Sequence, residues 1–494
     1  MGGHDDLGEI GCRAMTGDRS RSARRGSPVV VTACFCVVVT MVLLVAWQWA
    51  VAATTVDADP AIAAPADPSA TLTTPMLSFR RAPGVLSRAI NTTAFRVQLS
   101  SVLDRVPEGS CVSVAIDGQV VSAKGSATPV IPASNMKLVV GAVALEVLGP
   151  AYAFRTRVLG EIGDGGVVAG DLVLLGGGDP LLTTDVWLAG NSQTFPPTST
   201  TRLEALADAV VAAGVTRVNG RVVGDASRFD DEYYHPSWST ELHGVEGGPI
   251  DALMVDDGWL GTTPGAGFAT DPAFHAADVF ADLLRARGVP VAQGAAVGVS
   301  DFGTEIAGID SQPLATVVQE MLTTSDDNTA EALVKEFAAS RGADGTTAAG
   351  LDVVRSTLAG WGVPLDGVVL ADGSGLSRDN RLTCDALIAV LARGTVDDPL
   401  GAGLPVAATS GTLTDQFTGS PVAGVLRAKT GSLNGVRALS GYYPAVGGDT
   451  VEFALVLNTP GADDVSVYGS VWDALAVSLP TYPSGATTDQ LAPR

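Results

Sequence analysis

The sequence predicts an α+β protein in which an antiparallel five-stranded sheet, flanked by helices, is assembled from both ends of the chain around a large insertion. Three observations carry this. Near the start, Cys111 to Ile116 and Gln119 to Lys124 are strand-like runs joined at Asp117-Gly118, a pair suited to a type I′ hairpin turn. Near the end, Gly424 to Lys429, Val436 to Tyr443 and Thr450 to Asn458 read as three more strands, with turns at Leu433-Asn434-Gly435 and Gly447-Gly448-Asp449 and a helix to follow over Ser466 to Leu479. Between the two groups, Arg155 to about Val299 alternates strand-like runs (Gly170 to Leu175, Val218 to Gly224) with helical ones (Arg202 to Ala213, Ala276 to Arg287), which reads as inserted α/β or β-rich material.

The 494 residues, 46% of them hydrophobic, are enough for two or three domains with substantial cores. Before the first strand, Arg13, Arg19, Arg21, Arg24 and Arg25 precede an apolar run from Val29 to Ala53 that ends beside Trp47 and Trp49. Basic residues inside and aromatic residues at interface depth are the pattern of a single-pass anchor, with a cleaved signal peptide as the alternative. The organisation expected is therefore a cytoplasmic basic tail (1–28), a membrane segment (29–53), a Pro/Ala-rich linker (54–93), a split catalytic domain (94–154 and 306–480), an insertion (155–305) and a loose tail (481–494). Beyond the membrane segment only Cys111 and Cys384 remain, as one disulfide or two buried thiols.

A net charge of −23 and a pI near 4.4 exclude a nucleic-acid partner, because phosphate binding needs clustered Lys and Arg. No His-Glu-x-x-His or Cys-x-x-Cys spacing occurs, so a zinc site has little support and no metal is expected. Gly176-Gly177-Gly178-Asp179-Pro180 lacks the Lys-Ser/Thr of a phosphate loop and reads as a tight turn. Outside the N-terminal tail the histidines are His235, His243 and His275, so a Ser-His-Asp triad requires that stretch to fold back onto a nucleophile.

Lysine is the informative residue. The chain has only Lys124, Lys137, Lys335 and Lys429, while arginine supplies the remaining positive charge. Unlike arginine, lysine can lose its proton when desolvated and act as a base. Ser134-Asn135-Met136-Lys137 opens a long apolar run, so a central helix is expected to start near Ser134 with Lys137 one turn along. A desolvated lysine there takes the serine proton, and the N–H groups of the helix start suit an oxyanion. Lys429-Thr430-Gly431-Ser432 is placed at the end of a strand, and chance supplies only about 0.04 Lys-Thr-Gly matches in such a composition. A strand-edge lysine with adjacent hydroxyls binds a carboxylate, and the glycine admits a ligand close to the backbone. Ser325-Asp326-Asp327-Asn328 lies between helical runs Leu314 to Leu322 and Ala330 to Ala339; alone it is an N-cap, and beside the other motifs Ser325 is a candidate proton relay.

Ser-x-x-Lys, then Ser-Asp-x, then Lys-Thr-Gly is the motif order of penicillin-recognising serine peptidases and β-lactamases. With Gly224 to Ser227, Asp372 to Ser377, Ser410 to Leu413 and Arg427 to Gly441, the chain resembles the class C penicillin-binding proteins, the D-alanyl-D-alanine carboxypeptidase/endopeptidase family, from about Ala94 to Leu479. The resemblance implies a β-lactamase/transpeptidase-like domain in which Ser134 is acylated and Lys137 is its base. Ser325 then relays protons, Lys429, Thr430 and Ser432 hold the substrate carboxylate, and the backbone N–H groups of Ser134 and Ser432 form the oxyanion hole. It further implies peptidoglycan stem peptides as substrates, β-lactams as covalent inhibitors, no cofactor, and an extracytoplasmic location. One position departs from the pattern. The family has Ser-x-Asn, whereas the third residue here is Asp327 and an asparagine follows at Asn328. A carboxylate near Lys137 favours its charged form and opposes its use as a base; either Asp327 is tolerated, or Asn328 substitutes, or activity is reduced. A β-lactamase or esterase on the same fold and a catalytically silent wall-binding scaffold are the competing readings.

Overall fold

The computed structural model describes residues 39–48, 82–191, 193–194, 197–262, 266–300, 303–486 and 488–491. The chain divides into two compact units, 1–76 and 77–494. In the first, residues 39–48 are helical. The rest of the expected membrane segment lies outside the described residues, and no described helix is long and apolar enough to cross a membrane.

The second unit opens with helix α1 (Ala82–Leu103), followed by strands β1 (Cys111–Ile116) and β2 (Gln119–Lys124). Strands β8 (Arg427–Leu433), β9 (Val436–Pro444) and β10 (Thr450–Asn458) come from the other end of the chain. All five form one antiparallel sheet in the order β8-β9-β10-β1-β2, so β1 and β10 meet at its centre and β8 is an edge.

Successive side chains of a strand point to opposite faces, and both faces of this sheet are covered. Val451, Phe453, Leu455 and Leu457 of β10 join Val112, Val114 and Ile116 of β1 against α1 and the terminal helix α9 (Val465–Ser478). Ala454 and Val456 join Ala115 on the opposite face, under α2 (Met136–Val147) and α8 (Cys384–Leu391). Helix α2 is apolar around most of its circumference, which makes it the buried axis of the helical layer rather than a surface helix. Helices α5 (Leu314–Thr324), α6 (Asp327–Ala339) and α7 (Thr347–Gly360) join the same core. Cys111 and Cys384 form a disulfide that ties β1 to the first turn of α8, with 5.9 Å between Cα atoms.

A second five-stranded sheet lies between α2 and α5. Strands β3 (Arg155–Gly160), β4 (Leu172–Leu175), β5 (Val222–Asp225), β6 (Ala295–Val297) and β7 (Thr304–Asp310) run in the order β6-β5-β4-β3-β7. The β6–β5 and β5–β4 pairs are parallel and the other two antiparallel, and helices α3 (Leu203–Ala212) and α4 (Pro272–Ala286) pack on the sheet.

Three expectations need correction. The Lys-Thr-Gly segment sits within β8, not at its end, because the strand begins at Arg427 and carries its pairing through to Leu433↔Val436. Helical structure begins twelve residues before the 94 expected for the globular part, since α1 starts at Ala82 and buries Phe95, Leu99 and Val102. The tail after Leu479 is not loose as far as Ala486: Tyr482 is buried against Phe95, and the Ser87 hydroxyl donates to the Ala486 carbonyl at 2.7 Å.

Candidate active site

Ser134 lies in a single 3₁₀ turn, Ala133–Asn135, that leads directly into α2. The turn is held from three sides. Asn135 Nδ2 donates to Ser440 Oγ of β9 at 2.7 Å. A Cβ on Gly375 would come within 2.0 Å of the Ala133 carbonyl, and one on Gly431 within 3.1 Å of the Ser134 amide nitrogen. Both positions thus need glycine, since a side chain at either would push the nucleophile's turn out of place. Ala133 itself has φ 46°, an unusual conformation for a residue with a Cβ that this packing maintains.

One turn along α2, Lys137 is fully buried. Its Nζ donates to Ser134 Oγ at 3.2 Å, to Asp327 Oδ1 at 2.6 Å and to the Ser374 carbonyl at 2.8 Å, which uses all three ammonium donors. Asp327 occupies the position facing Lys137, whereas Asn328 points away, accepting from the Gly248 amide and donating to Asp257 Oδ1 at 2.5 Å. The choice follows from where α6 starts. Asp326 is its N-cap, accepting from the Thr329 amide, so Asp327 is the first helical residue and turns toward α2. Burial pushes the Asp327 carboxyl up to about 6, against the opposing pull of Lys137, with Asp326 and Glu246 adding to the rise.

Ser325 ends α5 in the left-handed conformation, φ 68° and ψ 34°, and makes the corner between two helices. Its Oγ accepts from Lys429 Nζ at 2.9 Å, and the same Nζ donates to the Thr430 carbonyl. Lys429 is fully buried without a carboxylate in hydrogen-bond contact, and burial, reinforced by the nearby Lys137 charge, holds its pKa well below the usual lysine value. Thr430 Oγ1 donates to Thr412 Oγ1 at 2.8 Å, while Ser432 is exposed on the edge strand.

Ser134, Ser325, Asp327, Thr430 and Ser432 line one open cleft of about 860 Å³. Trp187, Leu242 and Glu246, from the stretch of chain between α2 and α5, also line it. His235, His243 and His275 do not line it; His243 stacks on Tyr234 instead, which removes the triad alternative.

The sequence reading missed the function of the Asp372 to Ser377 loop, although it noted the segment. This loop supplies the third acceptor for Lys137. It is folded around two buried carboxylates. Asp372 accepts from the Gly375 and Ser377 amides, and Glu331 from the Gly373 and Ser374 amides. Burial, with Asp372 close by, raises Glu331 to about 8. The short Asp-Gly-Ser-Gly pattern marks a turn, but nothing in it shows which lysine the turn will meet. Arg437, also in the cleft wall, was not singled out.

A serine on a helix-opening turn, a buried lysine in contact with its hydroxyl and a second lysine on an adjoining sheet edge define a serine acyl-transfer enzyme. The model of the D-Ala-D-Ala carboxypeptidase 3 (S13) family matches residues 96–266 and 262–474, and the chain belongs to that family, as a serine-type D-alanyl-D-alanine carboxypeptidase. It is 30% identical to the D-alanyl-D-alanine carboxypeptidase of Actinomadura sp. (strain R39), over 80% of this chain and 87% of that one. To carboxypeptidase DacB of Mycolicibacterium smegmatis it is 32% identical, over 74% and 78% respectively. Penicillin binding protein 4 of Haemophilus influenzae shares the fold at a TM-score of 0.66 and 22% identity, over 78% of this chain and 99% of that one.

Proposed function

We propose that the chain removes the terminal D-alanine of peptidoglycan stem peptides, or cleaves D-amino-acid cross-links between them, through an acyl-enzyme on Ser134. The observation that supports this most is the fully buried Lys137, with its Nζ 3.2 Å from Ser134 Oγ. Once Lys137 Nζ has released one of its three protons and so carries a lone pair, Ser134 Oγ attacks the carbonyl carbon of the penultimate residue and its proton passes to that nitrogen. The oxyanion is met by the backbone N–H groups of Ser134 and Ser432, on the two elements that Gly431 keeps in contact. Because Lys429 donates to Ser325 Oγ, the Ser325 hydroxyl hydrogen is free to move to the leaving nitrogen as the C–N bond breaks, and the Lys429 proton already directed at Ser325 Oγ replaces it. Lys429, Thr430 and Ser432 hold the departing residue's carboxylate, and water then hydrolyses the ester.

The disulfide fits an oxidising, extracytoplasmic compartment, and the N-terminal apolar run fits an anchor there. We also propose that 155–310, which holds the whole second sheet, is an inserted domain and that 82–154 with 311–486 form the catalytic one. A second reading, a silent wall-binding scaffold, draws on the 2.6 Å Lys137–Asp327 ion pair, which engages the base with a carboxylate.

Incubation of the purified ectodomain with a fluorescent penicillin, followed by peptide mapping, separates these. The expected result is a stable label on Ser134 and release of D-alanine from an acyl-D-alanyl-D-alanine peptide. Rapid loss of the label with penicillin hydrolysis would make the chain a β-lactamase. Neither label nor hydrolysis in a folded sample would leave the scaffold.

A further inference from the structure

Arg437 stands on β9 directly opposite Ser432 of β8. Its guanidinium carbon lies 4.4 Å from the ring centroid of Tyr468 and 4.7 Å from that of Trp472, both on α9. Trp472 is in turn stacked on Phe417. The side chain is thus held in one place by aromatic faces, which attract a cation without neutralising it. Among the described residues it forms no ion pair, and its buried Nε has no hydrogen-bond partner. Asp463 contributes favourable charge nearby, but its Oδ1 accepts from the Gly435 amide at 2.7 Å. An arginine does not shed its proton to escape burial, so this is a fixed positive charge with no ion-paired carboxylate among the described residues.

The same side chain lines the cleft together with Thr430, Ser432 and Asn434. Building on the peptidase reading above, we propose that Arg437 is a specificity residue for a free carboxylate on the departing D-amino acid, and that it makes the enzyme discriminate against substrates in which this carboxylate is amidated. A carboxylate held by the Thr430 and Ser432 hydroxyls lies on the strand edge facing Arg437, and it supplies the missing counter-charge. An amide in its place leaves the guanidinium desolvated and uncompensated. Charge-assisted hydrogen bonds of this kind correspond to about a ten- to hundredfold change in affinity.

A purely structural role, in which Arg437 only fastens α9 to the sheet, predicts something different. It predicts a lower melting temperature and an equal loss for all substrates. The test measures binding of an acyl-D-alanyl-D-alanine peptide and of its C-terminal amide to the Ser134→Ala protein by calorimetry, alone and combined with Arg437→Gln or Arg437→Lys. Steady-state turnover of both peptides is followed in parallel with Ser134 intact. The expected result is that R437Q reduces the acid-over-amide preference by about tenfold or more, raising KM for the acid with little change in kcat, and that R437K recovers part of it. An acid-over-amide ratio that stays the same in R437Q and in R437K, whether both affinities fall together or neither moves, would overturn the proposal. If the unmutated enzyme turns over neither peptide while the binding preference still depends on Arg437, the peptidase reading fails and the carboxylate subsite stands.

Discussion

The two lysines of the cleft share burial and differ in company. Lys137 is enclosed with a carboxylate at 2.6 Å, whereas Lys429 has, among the described residues, a serine hydroxyl and a backbone carbonyl in hydrogen-bond contact. One charge is thus met by a carboxylate in contact and the other, among the described residues, is not. Lys137 touches the Ser134 hydroxyl and is placed to move its proton, whereas a lysine with no carboxylate in contact is suited to receiving an anion from outside. The sheet edge is therefore where substrate charge is bound, and the helix start is where protons move.

The most severe way to break this division is to remove the nucleophile. Ser134→Ala is expected to cut D-alanine release by roughly a thousandfold or more while leaving peptide binding measurable, as checked by turnover and calorimetry. Separating the lysines comes next. Lys137→Ala should abolish acylation to a similar extent with KM little changed, whereas Lys429→Ala should raise KM for a free-carboxylate peptide by about a hundredfold. Equal effects of the two substitutions on kcat and KM would erase the distinction.

Asp327→Asn sharpens the comparison, because it leaves Lys137 as unpaired as Lys429. With its carboxyl near 6, Asp327 is neutral below that pH and anionic above it, where its charge engages Lys137 Nζ. The variant is therefore expected to acylate about tenfold faster than the parent at pH 7 to 8, to match it below about pH 5, and to lose the inflection near pH 6. Stopped-flow acylation by penicillin across pH measures this. A slower variant at every pH would mean that the carboxylate assists the reaction. The smallest effect on chemistry is expected from Cys384→Ser, which should lower stability by about 2–5 kcal/mol in a denaturant titration while the folded fraction keeps its acylation rate, since the disulfide touches neither lysine.

What could be read in advance follows the range of the interactions. Ser134 and Lys137 were legible because helical spacing alone brings them together, and the strands β1, β2 and β10 because turn residues bound short strand-like runs. The Asp327/Asn328 ambiguity turned on one residue of helical phase, which the Asp326 cap sets and which no motif states. Gly375 and Arg437 were out of reach for another reason. Each acquires its meaning from a neighbour far along the chain, Ala133 for one and α9 for the other. Helix α1 was overlooked because Asn91-Thr92-Thr93 interrupts it with weak helix formers, and packing of Phe95 and Leu99 overrides that preference.

The centre of the catalytic sheet joins β1 to β10, which pair Cys111 with Val456 near opposite ends of the chain. A ribosome therefore delivers the nucleophile and its base hundreds of residues before it delivers the edge strand that faces them. Until β8, β9 and β10 have emerged, the Ser134 turn has neither Gly431 to rest on nor Ser440 to hold Asn135. A polypeptide cut short before Gly431 lacks both supports of the nucleophile's turn and is expected to be inert, although it already carries Ser134 and Lys137.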